Sequence, residues 1–431
     1  MPPKMTQNKK PFFHDKEKIK LLLVCIALFL GIFVGAAAVY RTLYPAMPSA
    51  DVDQDPNSVT VVGPDGISTT TDATSTAIAI AASTTATLGA PSTVQVQPAQ
   101  DADDIGHAVG IAGGGSLSKF SAADLNAELD SMQKLGITWV RFDIEWGDVQ
   151  YSSATSSNWT SYDNLVKAIV AHHMKALGII LFTPQWARTP GCTGGVECPP
   201  SDPSLYATFA SEVAARYKGE GLHYWEIWNE PNNFNFWATK VDCDAYTALL
   251  KVTYPAIKAV DPDAVIVTGG LAPESTNDVS LSPTDFLSCV YNDGGKNYFD
   301  AVGDHPYTYP NFPSSDGTGA WNQMSVTVPS LRSIMVANGD SAKKIWFTEF
   351  GTPTDGPDSH WYVSEAQQAA MVTDTFNLYK SYSWAGPLFW YTFKDSGSTT
   401  DTNENFFGLI RFDNSLKPAY TVLQKIISAG L

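Results

Sequence analysis

The chain has 431 residues, of which 44% are apolar, 16% charged and 12% aromatic, and its formal net charge is −17. A chain so rich in rings is not disordered as a whole, and its length suits two or three average domains or one large barrel with additions. The negative balance argues against a nucleic-acid binder, which needs a basic face. Low charge combined with 12 Trp instead fits a neutral ligand that stacks on rings, as sugars do.

Charge is distributed unevenly. Residues 1–41 hold seven Lys/Arg and two Asp/Glu, so with this +5 set aside the rest of the chain carries −22. Residues 1–20 form a basic tail, and 21–40 form an uncharged run, LLLVCIALFLGIFVGAAAVY. At about 1.5 Å rise per residue such a run spans a hydrocarbon core of roughly 30 Å. Lys4, Lys9, Lys10, Lys16, Lys18 and Lys20 before it put the N-terminus in the cytoplasm and the body outside the cell. The segment is expected to be a single-pass signal-anchor in the cell membrane. The alternative is a cleaved signal peptide, for which Ala36-Ala37-Ala38 offers small residues, leaving a secreted body.

Residues 41–103 are rich in Ser, Thr, Ala, Asp and Pro and are expected to be a disordered linker, a solvated stalk. A small β-rich domain is the rival reading, because VTVV and AIAIA have strand character. Cys25 lies in the apolar run. The four cysteines beyond it suggest two disulfides in an oxidising compartment. Four cysteines allow three pairings, and Cys192–Cys198 with Cys243–Cys289 is the expected one. A zinc site is disfavoured, since no CxxC spacing or nearby His accompanies them.

From Asp104 to Leu431 short apolar runs alternate with amphipathic stretches. Strands are predicted at 107–112, 138–144, 175–182, 224–228, 264–269, 300–305, 344–349 and 387–392. Helices are predicted between them, as at 121–136, where Leu125, Leu129, Met132 and Leu135 recur at helical spacing between a Ser121 cap and a Gly136 stop. Eight such units predict an α/β fold, a (β/α)8 TIM barrel preceded by a transmembrane helix and a disordered linker. Gly113-Gly114-Gly115 after the first strand lack the GxGxxG spacing of a dinucleotide site and suit a turn at the barrel mouth.

In a barrel of this kind functional residues stand at the C-terminal ends of strands. Arg141 and Asp143 stand there on strand 2, Asn229 and Glu230 after strand 4, His305 and Tyr307 after strand 6, Glu349 at the end of strand 7 and Trp390 on strand 8. Two carboxylates facing one mouth form the pair that glycosidic cleavage needs: one protonates the leaving oxygen, the other attacks the anomeric carbon or activates water. Aromatic residues of the loops, Trp146, Trp186, Phe234, Phe236, Trp237, Tyr309, Phe312, Trp321 and Trp361, suggest an extended cleft. Glu145 and Glu226 are weaker candidates, Glu226 being expected in a polar layer inside the barrel. Asp143 reads equally as a structural partner of Arg141.

WEIWNEPN (225–232) and WFTEFG (346–351) resemble the acid/base and nucleophile motifs of the clan A retaining glycoside hydrolases. The wording EIWNEPN together with Pro184-Gln-Trp-Ala is most similar to family 39, with family 5 the close rival, and FFGLIRFDNSLKPAY (406–420) is similar to the closing segment of several clan A families. The resemblance implies Glu230 as acid/base, Glu349 as nucleophile, Asn229 on the sugar 2-hydroxyl and Tyr307 and Arg141 holding the nucleophile. It places His305 near the sugar or Glu230, and Trp390 beneath the sugar at the point of cleavage. It further implies hydrolysis of a poly- or oligosaccharide by double displacement, with no cofactor and no metal. An envelope-glycan transglycosylase and a non-catalytic carbohydrate-binding receptor on the same barrel are the alternatives.

Overall fold

The computed structural model of the chain describes residues 58–62, 68–72, 107–317 and 319–431. The apolar run 21–40 lies outside them, as does most of the linker. Two segments within the linker, Ser58–Val62 and Ser68–Asp72, pair antiparallel with Ser58 opposite Asp72 and Val62 opposite Ser68. The expectation of a wholly unstructured linker is corrected to that extent. The consecutive β-branched residues Val59, Thr60, Val61 and Val62 supply the strand preference. Among the described residues no helix is long and apolar enough to cross a membrane.

The body is a (β/α)8 barrel. Its strands are β1 (Val109–Gly114), β2 (Trp139–Glu145), β3 (Lys175–Leu181), β4 (Tyr224–Ile227), β5 (Val265–Thr268), β6 (Val302–Asp304), β7 (Ile345–Phe350) and β8 (Ala385–Trp390). The helices that follow them are α1 (Ala122–Leu135), α2 (Thr160–Ala171), α3 (Pro203–Tyr217), α4 (Cys243–Val260), α5 (Pro283–Asn292), α6 (Leu331–Ala337), α7 (Glu365–Tyr379) and α8 (Pro418–Ser428). The strands pair in parallel in the order β5-β4-β3-β2-β1-β8-β7-β6. Bridges from Val267 to Ala301 and from Leu271 to Asp304 join the two ends and close the ring. All eight predicted strands are present, with ends shifted by at most two residues.

Local chemistry fixes the helix ends. The Ser121 hydroxyl accepts from the Asp124 amide and Gly136 stands at φ 98°, which are the predicted start and stop of α1. α3, α5 and α8 each begin on a proline, where the missing N–H has no helical partner to lose. On β2 the period of two is clear. Val140, Phe142 and Ile144 are fully buried against the helices, while Trp139 and Arg141 turn to the barrel interior. Inside, Trp139, Tyr224, Trp346 and Phe389 meet edge to face or tilted, with ring centroids 4.7–6.2 Å apart. This aromatic plug closes the lower end of the barrel, so the polar residues above it face only the upper mouth.

Two covalent links brace the loops. Cys192 is bonded to Cys198 and Cys243 to Cys289, the expected pairing. The second ties α4 to α5 across a sequence separation of 46 residues. At the C-terminus the buried Lys417 ammonium donates to Asp395 at 2.7 Å, to Thr354 at 2.8 Å and to the Phe406 carbonyl at 2.9 Å. Asp395 in turn accepts from the Gly408 amide at 2.8 Å. This buried knot fastens the closing segment over the barrel mouth.

Candidate active site

The site is assembled on Arg141, which is 1% exposed. Its guanidinium donates from Nε to Glu226 at 2.6 Å, from one terminal nitrogen to Glu349 at 2.6 Å and from the other to the Asn229 side-chain carbonyl at 3.0 Å. Glu226, fully buried, also accepts from the Gly270 amide at 2.8 Å and so belongs to the polar layer expected for it. Asn229 presents its oxygen to Arg141, which leaves its amide N–H groups as donors to a ligand in the cleft that it lines.

β4 delivers Glu230 through a turn in which Trp228 (φ 72°) and Glu230 (φ 44°) both adopt the left-handed conformation. Non-glycine residues are held there only where their surroundings over-determine them. Here the Glu230 amide donates to the Gly270 carbonyl, and the Trp228 indole, fully buried, donates to the Phe236 carbonyl at 2.7 Å. The chain after β5 passes so close that a Cβ on Gly270 would lie 2.1 Å from His305 Nε2 and 2.4 Å from Thr348 Oγ1. Glycine is therefore required at that position.

The two carboxylates face each other. An oxygen of Glu230, one of Glu349 and a nitrogen of His305 lie within 4.8 Å of one another. His305 Nδ1 is 2.9 Å from Glu230, and the Tyr307 hydroxyl donates to Glu349 at 2.8 Å. Burial raises the Glu349 carboxyl, but His305, Arg141 and the Tyr307 hydrogen bond outweigh it and hold the group below the usual carboxylate range. His305 is depressed by burial, yet Glu349 and the bond to Glu230 raise it above the ordinary imidazole value. The Tyr307 phenol is pushed well up by burial and then by Glu349, so it stays a proton donor to that carboxylate.

Two groups of potential metal ligands occur among the described residues. In Glu230–His305–Glu349 the carboxylates are engaged with His305 Nδ1, Asn233, Arg141 and Tyr307, while the buried His305 Nε2 has no hydrogen-bond partner. In Cys243–Asp244–Cys289–Asp293 both sulfurs are tied in a disulfide and offer no thiolate.

Arg141, Asn229, Glu230, Tyr307 and Glu349 all line one cleft of about 820 Å³ at the mouth, with His305 buried beneath. Trp390 does not line it. It is fully buried, packs against Phe350 and donates to the Phe407 carbonyl at 3.3 Å. Strand alternation turns Trp390 outward to the helices and the next residue, Tyr391, into the cleft. Trp237 is 1% exposed and stacks edgewise on Trp228, so it is core rather than cleft. Trp186 faces a neighbouring groove. Asp143 lines the cleft and takes no hydrogen bond from Arg141, whose donors go to Glu226, Glu349 and Asn229, so its partnership with Arg141 is one of charge alone. Sequence reasoning missed Tyr391 and Glu404, which share a 2.9 Å hydrogen bond, and Phe407, whose ring packs against Tyr307, Tyr309 and Tyr391.

Burial, and then Glu349, Glu145 and Glu226, push the Asp143 carboxyl up to about 7 against the pull of Arg141. The folded chain thus keeps a proton that the unfolded chain sheds near pH 4, and the stability tied to Asp143 falls as pH rises from about 4 to about 7. Asp143→Asn removes that loss. Its Tm relative to wild type is expected to be higher at pH 8 than at pH 4.5. An equal difference at both pH values would show that Asp143 does not titrate in this window.

The family model for cellulase, glycosyl hydrolase family 5, matches residues 104–392. No curated protein matches the chain. Among solved structures, a family 39 glycoside hydrolase from the gut symbiont Bacteroides cellulosilyticus WH2 is similar with a TM-score of 0.60 and 24% identity, over 76% of this chain and 64% of that one. A monomeric beta-xylosidase from Caulobacter crescentus CB15 has a TM-score of 0.55 and 21% identity, over 74% and 67% of the two chains. A GH5_18 protein from Streptomyces cattleya, solved with GlcNAc, has a TM-score of 0.57 and 15% identity, over 75% and 80%. At these identities the likeness to the solved structures is one of fold. This chain spans less than two thirds of the length of the Bacteroides protein.

Proposed function

Because this chain belongs to the cellulase family of glycosyl hydrolases, family 5, and is therefore a glycoside hydrolase, we propose that it cleaves a neutral β-linked poly- or oligosaccharide with retention of configuration, through Glu349 and Glu230. The observation that carries this reading is the approach of the two carboxylates. Facing oxygens within 4.8 Å of each other support the roughly 5–5.5 Å separation of a covalent mechanism over the roughly 6.5–9.5 Å of an inverting one.

Glu349, held ionised, attacks the anomeric carbon while the bond to the leaving oxygen breaks, and Glu230 gives that oxygen its proton. Glu230, now a carboxylate, takes a proton from water. The resulting hydroxide equivalent attacks the same carbon, and the ester bond to Glu349 breaks, restoring both groups. Asn229 is placed to donate to the sugar as the oxocarbenium-like charge develops. A neutral substrate fits the electrostatics. The cleft is lined by Asp143, Glu230, Glu274, Asp316, Glu349 and Glu404, and Arg141, the one Lys or Arg lining it among the described residues, is fully committed.

The proposal places this domain outside the cell, tethered through residues 21–40. That part rests on the apolar run and the Lys excess before it. The test is incubation of the full chain with plant, fungal and bacterial polysaccharides, with Glu349→Ala as control and products read by mass. Short oligosaccharides absent from the control are expected. Products longer than the substrate would replace hydrolysis by transglycosylation, and glycan binding without any product would leave a binding protein.

A further inference from the structure

Two buried polar atoms beneath the cleft stand without a partner. His305 and Thr348 are both fully buried, and neither His305 Nε2 nor Thr348 Oγ1 makes a hydrogen bond. Both lie within 2.4 Å of the point that a Cβ on Gly270 would occupy. The ring edge and the hydroxyl therefore face one space, the one left free by the side chain that glycine lacks. The backbone holds that space in place. The Gly270 amide donates to Glu226, its carbonyl accepts from the Glu230 amide, and the His305 amide donates to the Leu271 carbonyl at 3.0 Å. Thr348 enters from β7, directly before Glu349.

A buried hydroxyl and a buried ring nitrogen are costly without partners. The other donors of the site are committed. Arg141 serves Glu226, Glu349 and Asn229, the Tyr307 hydroxyl serves Glu349, and the Asn233 amide is directed to Glu230 at 3.4 Å. What pairs with Nε2 matters to the acid/base, because Nδ1 of the same ring is 2.9 Å from Glu230. In a neutral imidazole one nitrogen carries the hydrogen and the other a lone pair, and the bond made by one nitrogen sets the state of the other. With its hydrogen on Nε2, the ring would turn a lone pair to Glu230 and draw the acid proton toward itself. With its hydrogen on Nδ1, the ring donates to one Glu230 oxygen and leaves the acid proton on the other, facing the cleft. A hydroxyl beside Nε2 favours the second arrangement. It then donates to the lone pair, whereas in the first its own hydrogen would be buried without an acceptor, and orphaned donors are rarer than under-used oxygens. When acid charges the ring, the same hydroxyl rotates to accept.

We propose that the Thr348 hydroxyl donates to His305 Nε2 and, by fixing the hydrogen of the ring on Nδ1, keeps the acid proton of Glu230 on the side of the leaving oxygen. Thr348 is thus a positioning residue that acts through His305. This rests on the glycosidase reading above, and the experiment keeps the two apart. Full-length wild type, Thr348→Val, Thr348→Ser and Glu230→Ala are assayed on 2,4-dinitrophenyl and phenyl β-glycosides of glucose, xylose and mannose. Here kcat/KM reports cleavage of the glycosidic bond, where dinitrophenolate leaves unaided and phenolate needs the proton. Thr348→Val is expected to raise the dinitrophenyl-to-phenyl ratio of kcat/KM about tenfold over wild type, and Thr348→Ser to return it to the wild-type value. An unchanged ratio, or a loss equal for both leaving groups, would overturn the inference. Glu230→Ala is expected to raise the ratio further. If it does not, or if every glycoside is inert, the catalytic reading fails, and the hydrogen bond is decided by nitrogen-15 NMR of the histidine-labelled full chain. There His305, assigned by its loss in His305→Gln, is expected to carry its hydrogen on Nδ1 once neutral, with an Nε2 signal that shifts in Thr348→Val. A hydrogen on Nε2, an Nε2 signal indifferent to Thr348→Val, or a ring still doubly protonated at about pH 9 would overturn the proposal.

Discussion

Replacing the proposed nucleophile, Glu349→Ala, is expected to lower kcat on an activated aryl glycoside by at least about 10⁴-fold, equivalent to roughly 5 kcal/mol of barrier. The reason is local. Arg141 and Tyr307 each commit a short hydrogen bond to one Glu349 oxygen, and with His305 they keep this buried group ionised against desolvation. Its neighbours cannot take over. Glu230 is turned to His305 and Glu226 is bound below the mouth by Arg141 and the Gly270 amide. The fold should persist, since Arg141 keeps Glu226 and Asn229, so circular dichroism near that of wild type accompanies the loss. Turnover close to wild type would refute the assignment of the nucleophile.

Arg141→Met is expected to damage both stability and activity. The substitution preserves much of the volume but removes all three charge-assisted donors at once. Glu226, fully buried, then has only the Gly270 amide, and Glu349 only Tyr307 and His305. Stranding buried carboxylates without a cation costs about 3–5 kcal/mol. At about 2–4 °C per kcal/mol, Tm falls by roughly 6–20 °C. With the guanidinium gone, burial drives the Glu349 carboxyl up, so the acid limb of the residual kcat/KM profile moves to higher pH. Arg141→Lys keeps a charge but cannot reach three acceptors in three directions, and is expected to recover stability more than activity. A melting curve and pH profile unchanged in Arg141→Met would contradict the electrostatic account of the nucleophile.

The residues themselves explain what was legible in the sequence. Strand and helix periods, the Ser121 cap and the Gly136 stop are local signals, and they located the barrel. Glu230 and Glu349 stood out because each follows a buried strand, where an acidic group is costly without a task. The weaker readings failed on facing and on distance. Trp390 and Tyr391 are neighbours on a strand end, so a choice of one residue decides core or cleft, and the larger ring lies in the core. Trp237 lies in a loop by sequence, yet Trp228 and Tyr246 enclose it. Glu404 and Phe407 enter the cleft because Lys417, Asp395 and Thr354 fasten the closing segment, a knot drawn from three separated positions that no local window contains. The partners of Arg141 are likewise spread, Glu226 on β4, Asn229 in the turn after it and Glu349 on β7. Its hold on Glu349 was implied by the resemblance, but Glu226 and Asn229 as its other acceptors emerged only from the fold.

The central claim is that Glu349 forms a covalent bond to the sugar, and the anomeric configuration of the first product tests it most directly. Proton NMR of the reducing sugar released by the full chain, recorded before mutarotation, is expected to show the β-anomer from a β-linked substrate. Initial release of the α-anomer would mean a single displacement by water and would contradict the account, whatever the distance between Glu230 and Glu349.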